Sequence, residues 1–180
     1  MSVESARGQK AAAETAPLTP ATIRNLGDKL YEKRKLGALE VEQLIKEARE
    51  ANDAEKINSI LLYLTNQFAY SASGNQRKGG LIALAATAIG LGPVGSFYRF
   101  NLTDFMTKET WRYMPKLVPP VLKCFTDQDS RVRYYACESM YNIAKVARAK
   151  ILSYFNQIFD GLCRVSTKHF MPVTYQIRFD

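Results

Sequence analysis

The stretch "FTDQDSRVRYYACESMYNIAKVAR", Phe125 to Arg148, decides the fold. Two aspartates two residues apart precede Arg131 and Arg133, and an apolar-spaced run follows. Val132, Ala136, Met140, Ile143 and Ala147 recur at steps of three and four, which is one face of a helix. Tyr134, Glu138, Tyr141, Lys145 and Arg148 fall opposite, so the helix is amphipathic with a polar, aromatic outer side. Asp127-x-Asp129-Ser130 has two readings. As a calcium loop it lacks the further oxygen ligands, the glycine and the closing glutamate that such loops set at fixed spacing. A phosphoacceptor aspartate needs a strand end, and this one lies between helices. As a corner it is complete, because Asp129 or Ser130 can accept the backbone N–H groups that a helix start leaves free.

Outward from this stretch the same pattern repeats. Thr19 is a fitting N-cap with Pro20 at the first helical position. Asn52-Asp53 can cap another helix, along which Ile57, Ile60, Leu61, Leu64 and Phe68 share a face. "SASGNQ" makes a turn, and Leu81, Leu84, Ala85 and Ala88 form the next stripe. The last stripe is Leu152, Phe155, Phe159 and Leu162. Strand-like alternation appears only in the final "FMPVTYQIRFD". The chain therefore reads as helices in pairs joined by short turns.

Paired helices call for a search for repeats. Arg34, Arg77 and Arg133 each stand near the start of a second helix. Three residues on, each is followed by a small residue, Gly37, Gly80 and Ala136; seven residues on, by Val41, Leu84 and Met140. The small residue admits a neighbouring helix and the large one fills the gap beside it. From Arg34 to Arg77 is 43 residues, within the period of roughly 40–47 of HEAT and armadillo repeats. From Arg77 to Arg133 is 56, and the excess is assigned to residues 93–114, an insertion between repeats. "PKLVPPVLKCF" then supplies a short first helix with prolines near its start. The expected fold is all-α, a HEAT/armadillo-like α-solenoid of about three helix pairs plus one unpaired helix. Residues 1–16 read as a disordered leader, 17–163 as the solenoid and 164–180 as a divergent tail.

The 180 residues suit one domain, and 47% of them are hydrophobic. The formal net charge of +8 favours acidic partners without choosing among them. Cys124, Cys137 and Cys163 sit in apolar segments with no CxxC pair, so buried, reduced thiols are expected. The longest apolar run, Gly79 to Leu91, is shorter than the about 20 residues that cross a bilayer. "GLGPVG", Gly90 to Gly95, matches G-x-G-x-x-G, but that fingerprint works between a strand and a helix. Here it follows an alanine-rich helix, and Gly90 and Gly92 read as helix stops before Pro93. No zinc spacing, P-loop, nucleophile elbow or acid–base pair appears. No catalysis, cofactor or metal is expected, and no nucleic-acid module is present.

The basic groups carry the sharper expectation. Arg77-Lys78 and Arg131/Arg133 lie near helix starts, where the macrodipole disfavours cations. They call for acceptors, either aspartates of a neighbouring repeat or an external anion. Tyr134 offers large contact area at modest entropic cost. Arg77, Lys78, Arg131, Arg133 and Tyr134 are the candidate partner-binding residues.

"PLTPATIRNLGDKLYEKRKLGALEVEQLIKE", "RKGGLIALAATAIGLG" and "CFTDQDSRVRYYACESMYNIAKVARAKILSYFNQIFDGL" closely resemble the N-terminal part of the vacuole-morphology scaffold family. These are the HEAT-repeat scaffolds of the PIKfyve lipid kinase complex. The resemblance covers residues 17–92 and 116–163 and is broken by 93–114 and 164–180. It implies a non-catalytic scaffold fragment that holds a PIKfyve-type lipid kinase and an opposing Sac-type phosphoinositide phosphatase. Such a complex makes and turns over phosphatidylinositol 3,5-bisphosphate. The implied location is cytoplasmic and peripheral on endosomal, lysosomal or vacuolar membrane. Family self-association belongs mainly to the C-terminal part, so it is not expected of this chain. The alternative reading is a helical module that binds anionic lipid directly through its basic face.

Overall fold

The computed structural model describes residues 16–92 and 110–169. Thr19 opens the first helix, its Oγ1 accepting from Thr22 N at 3.1 Å with Pro20 at the first helical position. Helix α1 spans Pro20–Leu26 and α2 Tyr31–Glu50. Asp53 caps α3, Ala54–Tyr63, by accepting from Lys56 N at 2.9 Å. The helix then widens into a π-helical turn, Leu64–Ala69. Helix α4 is Gly74–Leu91, α5 Thr110–Cys124 and α6 Ser130–Ala147. A 3₁₀ segment, Arg148–Tyr154, leads into α7, Phe155–His169. Among the described residues there is no strand, and the all-α architecture of helix pairs is as expected: α1–α2, α3–α4, α5–α6, then α7 without a second helix.

The second helices stack in sequence, α4 lying between α2 and α6. Their apolar stripes form one continuous core in which Val41, Ile60, Leu61, Leu84, Val132, Ala136 and Ile143 are fully buried. Small residues set the spacing inside each pair. A Cβ on Gly80 would lie 2.7 Å from Phe68 Cβ and 2.8 Å from Ala69 N, and one on Gly37 would meet Leu26 at 3.0 Å. The first distances are shorter than real Cβ contacts and the last is among the tightest, so glycine is what lets these helices touch.

Four details differ from the sequence reading. Gly90 does not itself stop α4 but is its penultimate residue, where a Cβ would reach Glu42 O at 2.9 Å, so its role is close packing on α2. Gly92 does end the helix, its N–H bonding Ala88 O and Ile89 O. Helix α5 begins at Thr110, inside the stretch assigned to the insertion, so Pro115, Pro119 and Pro120 lie in its interior and not at its start. Buried Tyr113 and Met114 give these residues a core to pack on, which offsets the backbone bonds the prolines lack. The cysteines are not uniformly buried: Cys124 is, Cys137 is half-buried and Cys163 is exposed.

The fourth concerns α7. Leu152, Phe155, Phe159 and Leu162, the stripe that periodicity selects, face outward at 43–65% exposure. The helix packs instead through Ile158, Gly161 and Val165, with Ile151 and Tyr154 just ahead of it. Gly161 decides the choice, since a Cβ there would strike the Phe125 ring at 2.5 Å. The helix is apolar on two sides, and the side bearing the glycine fits closest to α5.

Candidate partner-binding face

The corner before α6 is built from its two aspartates. Asp129 caps the helix, Oδ1 accepting from Arg131 N at 2.8 Å. Asp127 Oδ1 accepts from Asp129 N at 2.8 Å, which fixes its carboxylate pointing toward α4. There Arg77 meets it with two nitrogens. Nη2 donates to Oδ1 at 3.1 Å, and Nε lies 2.7 Å from Oδ2, off the line of a good hydrogen bond. Lys78 Nζ stands 3.8 Å from Asp129 Oδ2. Among the described residues no group of acidic, histidine and cysteine side chains is arranged to hold a metal ion.

The three register arginines share one geometry. Arg34 Nη1 donates to the carbonyls of Asp28 and Lys29 at 2.8 and 2.9 Å. Arg77 Nη1 does so to Ser71 and Ala72 at 2.9 and 2.7 Å. Arg133 Nη1 does so to Asp127 and Gln128 at 2.9 and 3.1 Å. Each guanidinium thus satisfies the carbonyls of the turn leading into its own helix, which explains cations at helix starts. They differ in what their far side meets. Arg34 lies over the Tyr135 ring, 5.5 Å from its centroid, with Nη2 donating to the Tyr135 hydroxyl at 3.3 Å. Tyr31 stacks on the same ring at 6.3 Å. Arg77 meets Asp127. The Nε of all three lacks a hydrogen-bond partner; what sets Arg133 apart, on a residue only 8% exposed, is that among the described residues no carboxylate or aromatic ring meets its far side.

The five candidate residues therefore divide. Arg77 and Lys78 are held by the aspartates of the next pair. Arg131, Arg133 and Tyr134 line a cleft of about 580 Å³ between α6 and α7, together with Ser130, Cys137 and Val165. Arg131 is exposed and Tyr134 is 66% exposed. Sequence reasoning passed over Ser130, Cys137 and Val165. The first two were accessible by carrying Gly74 and Leu81 forward by the same interval that relates Arg77 to Arg133. Val165 was not, because it reaches the cleft only through the tertiary packing of α7.

Burial pushes the Cys124 thiol up from 9.0 to about 11, and Cys137 is raised for the same reason. Neither is a thiolate near neutral pH, so neither behaves as an activated nucleophile. Among the described residues no helix is long and apolar enough to cross a membrane.

A family model, the Vacuolar 14 Fab1-binding region, matches residues 75–175, which include the whole cleft. Protein VAC14 homolog of Arabidopsis thaliana is 48% identical over 148 residues, covering 82% of this chain and 18% of that relative. Vacuole morphology and inheritance protein 14 of Saccharomyces cerevisiae is 46% identical over 144 residues, 79% of this chain and 15% of the relative. Protein VAC14 homolog of Schizosaccharomyces pombe is 47% identical over 145 residues, 79% and 16% respectively. The chain spans less than a fifth of the length of these relatives. No solved structure matches it. The chain belongs to the VAC14 family, and its residues 75–175 match the Vacuolar 14 Fab1-binding region.

Proposed function

We propose that the chain is a non-catalytic scaffold segment that binds a Fab1/PIKfyve-type lipid kinase through the α6–α7 face. One observation carries this reading. Exposed Arg131 and Tyr134 and the half-satisfied Arg133 converge on one cleft, inside the stretch matched by the Vacuolar 14 Fab1-binding region. Large aromatics and arginines are the residue types that dominate protein interfaces. Arg77 and Lys78 serve the same site from behind, by holding the corner from which α6 presents Arg131 and Tyr134. The mechanism is geometric: stacked helix pairs offer an extended surface that fixes partners relative to one another. By resemblance, the larger assembly includes a Sac-type phosphatase and serves phosphatidylinositol 3,5-bisphosphate synthesis and turnover. It works peripherally, at endolysosomal or vacuolar membrane.

The test is co-purification of the full chain with a Fab1-type kinase. An Arg131→Glu, Tyr134→Ala double variant that keeps its helical circular dichroism should lose most of the captured kinase. Full capture by the folded variant refutes this face as the contact.

A second reading, direct binding of anionic lipid, is favoured by one observation. Exposed Leu152, Phe155, Phe159 and Leu162 lie close in sequence after Lys145, Arg148 and Lys150, which are also exposed. Basic and apolar residues together are what an interfacial segment presents to a membrane. Sedimentation with vesicles containing phosphatidylserine should then fall steeply with salt and with Phe155→Ser, Phe159→Ser. Equal sedimentation with neutral vesicles rejects it.

A further inference from the structure

We propose that the outer side of α5 is a docking surface for an anionic phospholipid membrane, with Lys116, Lys123 and Arg112 facing the headgroups and Trp111 among them. The inference rests neither on the kinase reading nor on the α7 residues of the lipid reading above. Helix α5 divides cleanly into two sides. Met114, Leu117, Val118 and Val121 are buried in the core. Trp111, Arg112, Pro115, Lys116, Pro119 and Lys123 share the opposite arc of about 140° and are all exposed. The helix contains no acidic residue. By contrast α2, α3, α6 and α7 carry both signs, and on α4 Arg77 and Lys78 meet Asp127 and Asp129.

The three cations of α5 stay uncompensated. Among the described residues none of them forms an ion pair. The contacts they do make are neutral: Lys116 Nζ donates to Asn58 Oδ1 on α3, and Lys123 Nζ lies over the Tyr70 ring, 4.0 Å from its centroid. The charge is spread along about 16 Å of helix, so its complement is a sheet of anions and not a single acid. The neighbouring groups suit the same partner. Trp111 is 49% exposed, and on the α3 side Leu62 and Tyr70 are 63% and 42% exposed. Indole and phenol rings beside cations are what the membrane–water boundary favours. The prolines fix the depth. Pro115, Pro119 and Pro120 withhold the N–H groups that would bond the carbonyls of Trp111, Pro115 and Lys116. Such carbonyls need water, which the headgroup layer holds and the hydrocarbon does not, so α5 rests on the bilayer without entering it.

Trp111 is the chain's one tryptophan, so its fluorescence reports this surface alone. The full chain is titrated with vesicles of phosphatidylserine in phosphatidylcholine, and with vesicles of phosphatidylcholine only. The proposal expects the Trp111 emission to move to the blue with the anionic vesicles alone, and the effect to fall as salt rises. A Lys116→Gln, Lys123→Gln variant with unchanged circular dichroism should bind about thirtyfold more weakly, the worth of two cations near an anionic surface. Phe155→Ser, Phe159→Ser should leave the Trp111 response as it was, which separates this surface from α7. Sedimentation of the chain with anionic vesicles while Trp111 emission stays fixed overturns the proposal. So does an equal response to neutral vesicles, full binding by the double lysine variant, or loss of the response in the phenylalanine variant. A blue shift with soluble polyglutamate and none with vesicles would make the partner an acidic polypeptide and overturn it as well.

Discussion

At the scale of single residues, one carboxylate and one thiol illustrate what burial does to polar groups. Asp127 is bound by a backbone N–H and by Arg77, with side-chain exposures of 11% and 19% for the pair. Removing one member leaves the other charge enclosed and unmatched, which typically costs about 3 kcal/mol. Asp127→Ala should lower denaturant stability by about that amount, whereas Asp28→Ala, at the equivalent but outermost corner, should cost far less. Comparable losses from both would show that the Arg77–Asp127 pair contributes nothing special. Cys124 gives a pH test. Its thiol is raised to about 11 chiefly by burial, so between pH 9 and 11 the unfolded chain loses a proton that the folded chain keeps. Stability therefore falls as pH rises through that window, by up to about 1.4 kcal/mol per unit, and the contribution is complete below it. Cys124→Ala should lack that slope, so the difference in stability between the two proteins should fall across the same window. Alkylation near neutral pH should modify exposed Cys163 first, half-buried Cys137 next and Cys124 last.

At the scale of elements, two glycines hold the packing. Gly80 faces Phe68 and the Ala69 backbone across the first and second helices of one pair, and backbone cannot yield as a side chain can. Gly80→Ala should cost about 2 kcal/mol despite alanine's better helix propensity. An unchanged melting temperature would mean that the α3–α4 distance is looser than described. Gly161→Ala should act only on α7, raising amide exchange there while α2, α4 and α6 stay protected. This is also where the sequence was least legible. The stripes of α3 and α6 were readable because each has one apolar face, and that of α4 because the helix is buried nearly all round; the residues named on all three are buried. Helix α7 has two apolar faces, and periodicity chose Phe155 and Phe159 over Ile158 and Val165 because it registers size and not the space around Gly161. Helix α5 was misplaced at its start because its interior prolines read as a boundary, while the packing of Tyr113 and Met114 that pulls it earlier is tertiary. The paired arginines were legible as cations in need of acceptors. That Arg77 meets a carboxylate of the next pair while Arg133 meets none among the described residues was not, since that carboxylate arrives only through tertiary packing.

At the scale of the whole molecule, each helix pair closes on the one before it, and among the described residues Arg77 alone of the three register arginines meets a carboxylate of the next pair. The exposed basic and aromatic residues of α6 gather at the α6–α7 cleft, within the residues matched by the family's Fab1-binding region. A scaffold of this kind acts by where it holds its partner, so the location of the contact is the claim on which the account stands. Hydrogen–deuterium exchange of the full chain, alone and with a Fab1-type kinase, locates it directly. The account predicts slowed exchange in residues 130–137 and along α7, with α1 and the outer side of α2 unchanged. Protection centred on α1 and α2, with α6 and α7 exchanging as in the free chain, would contradict it.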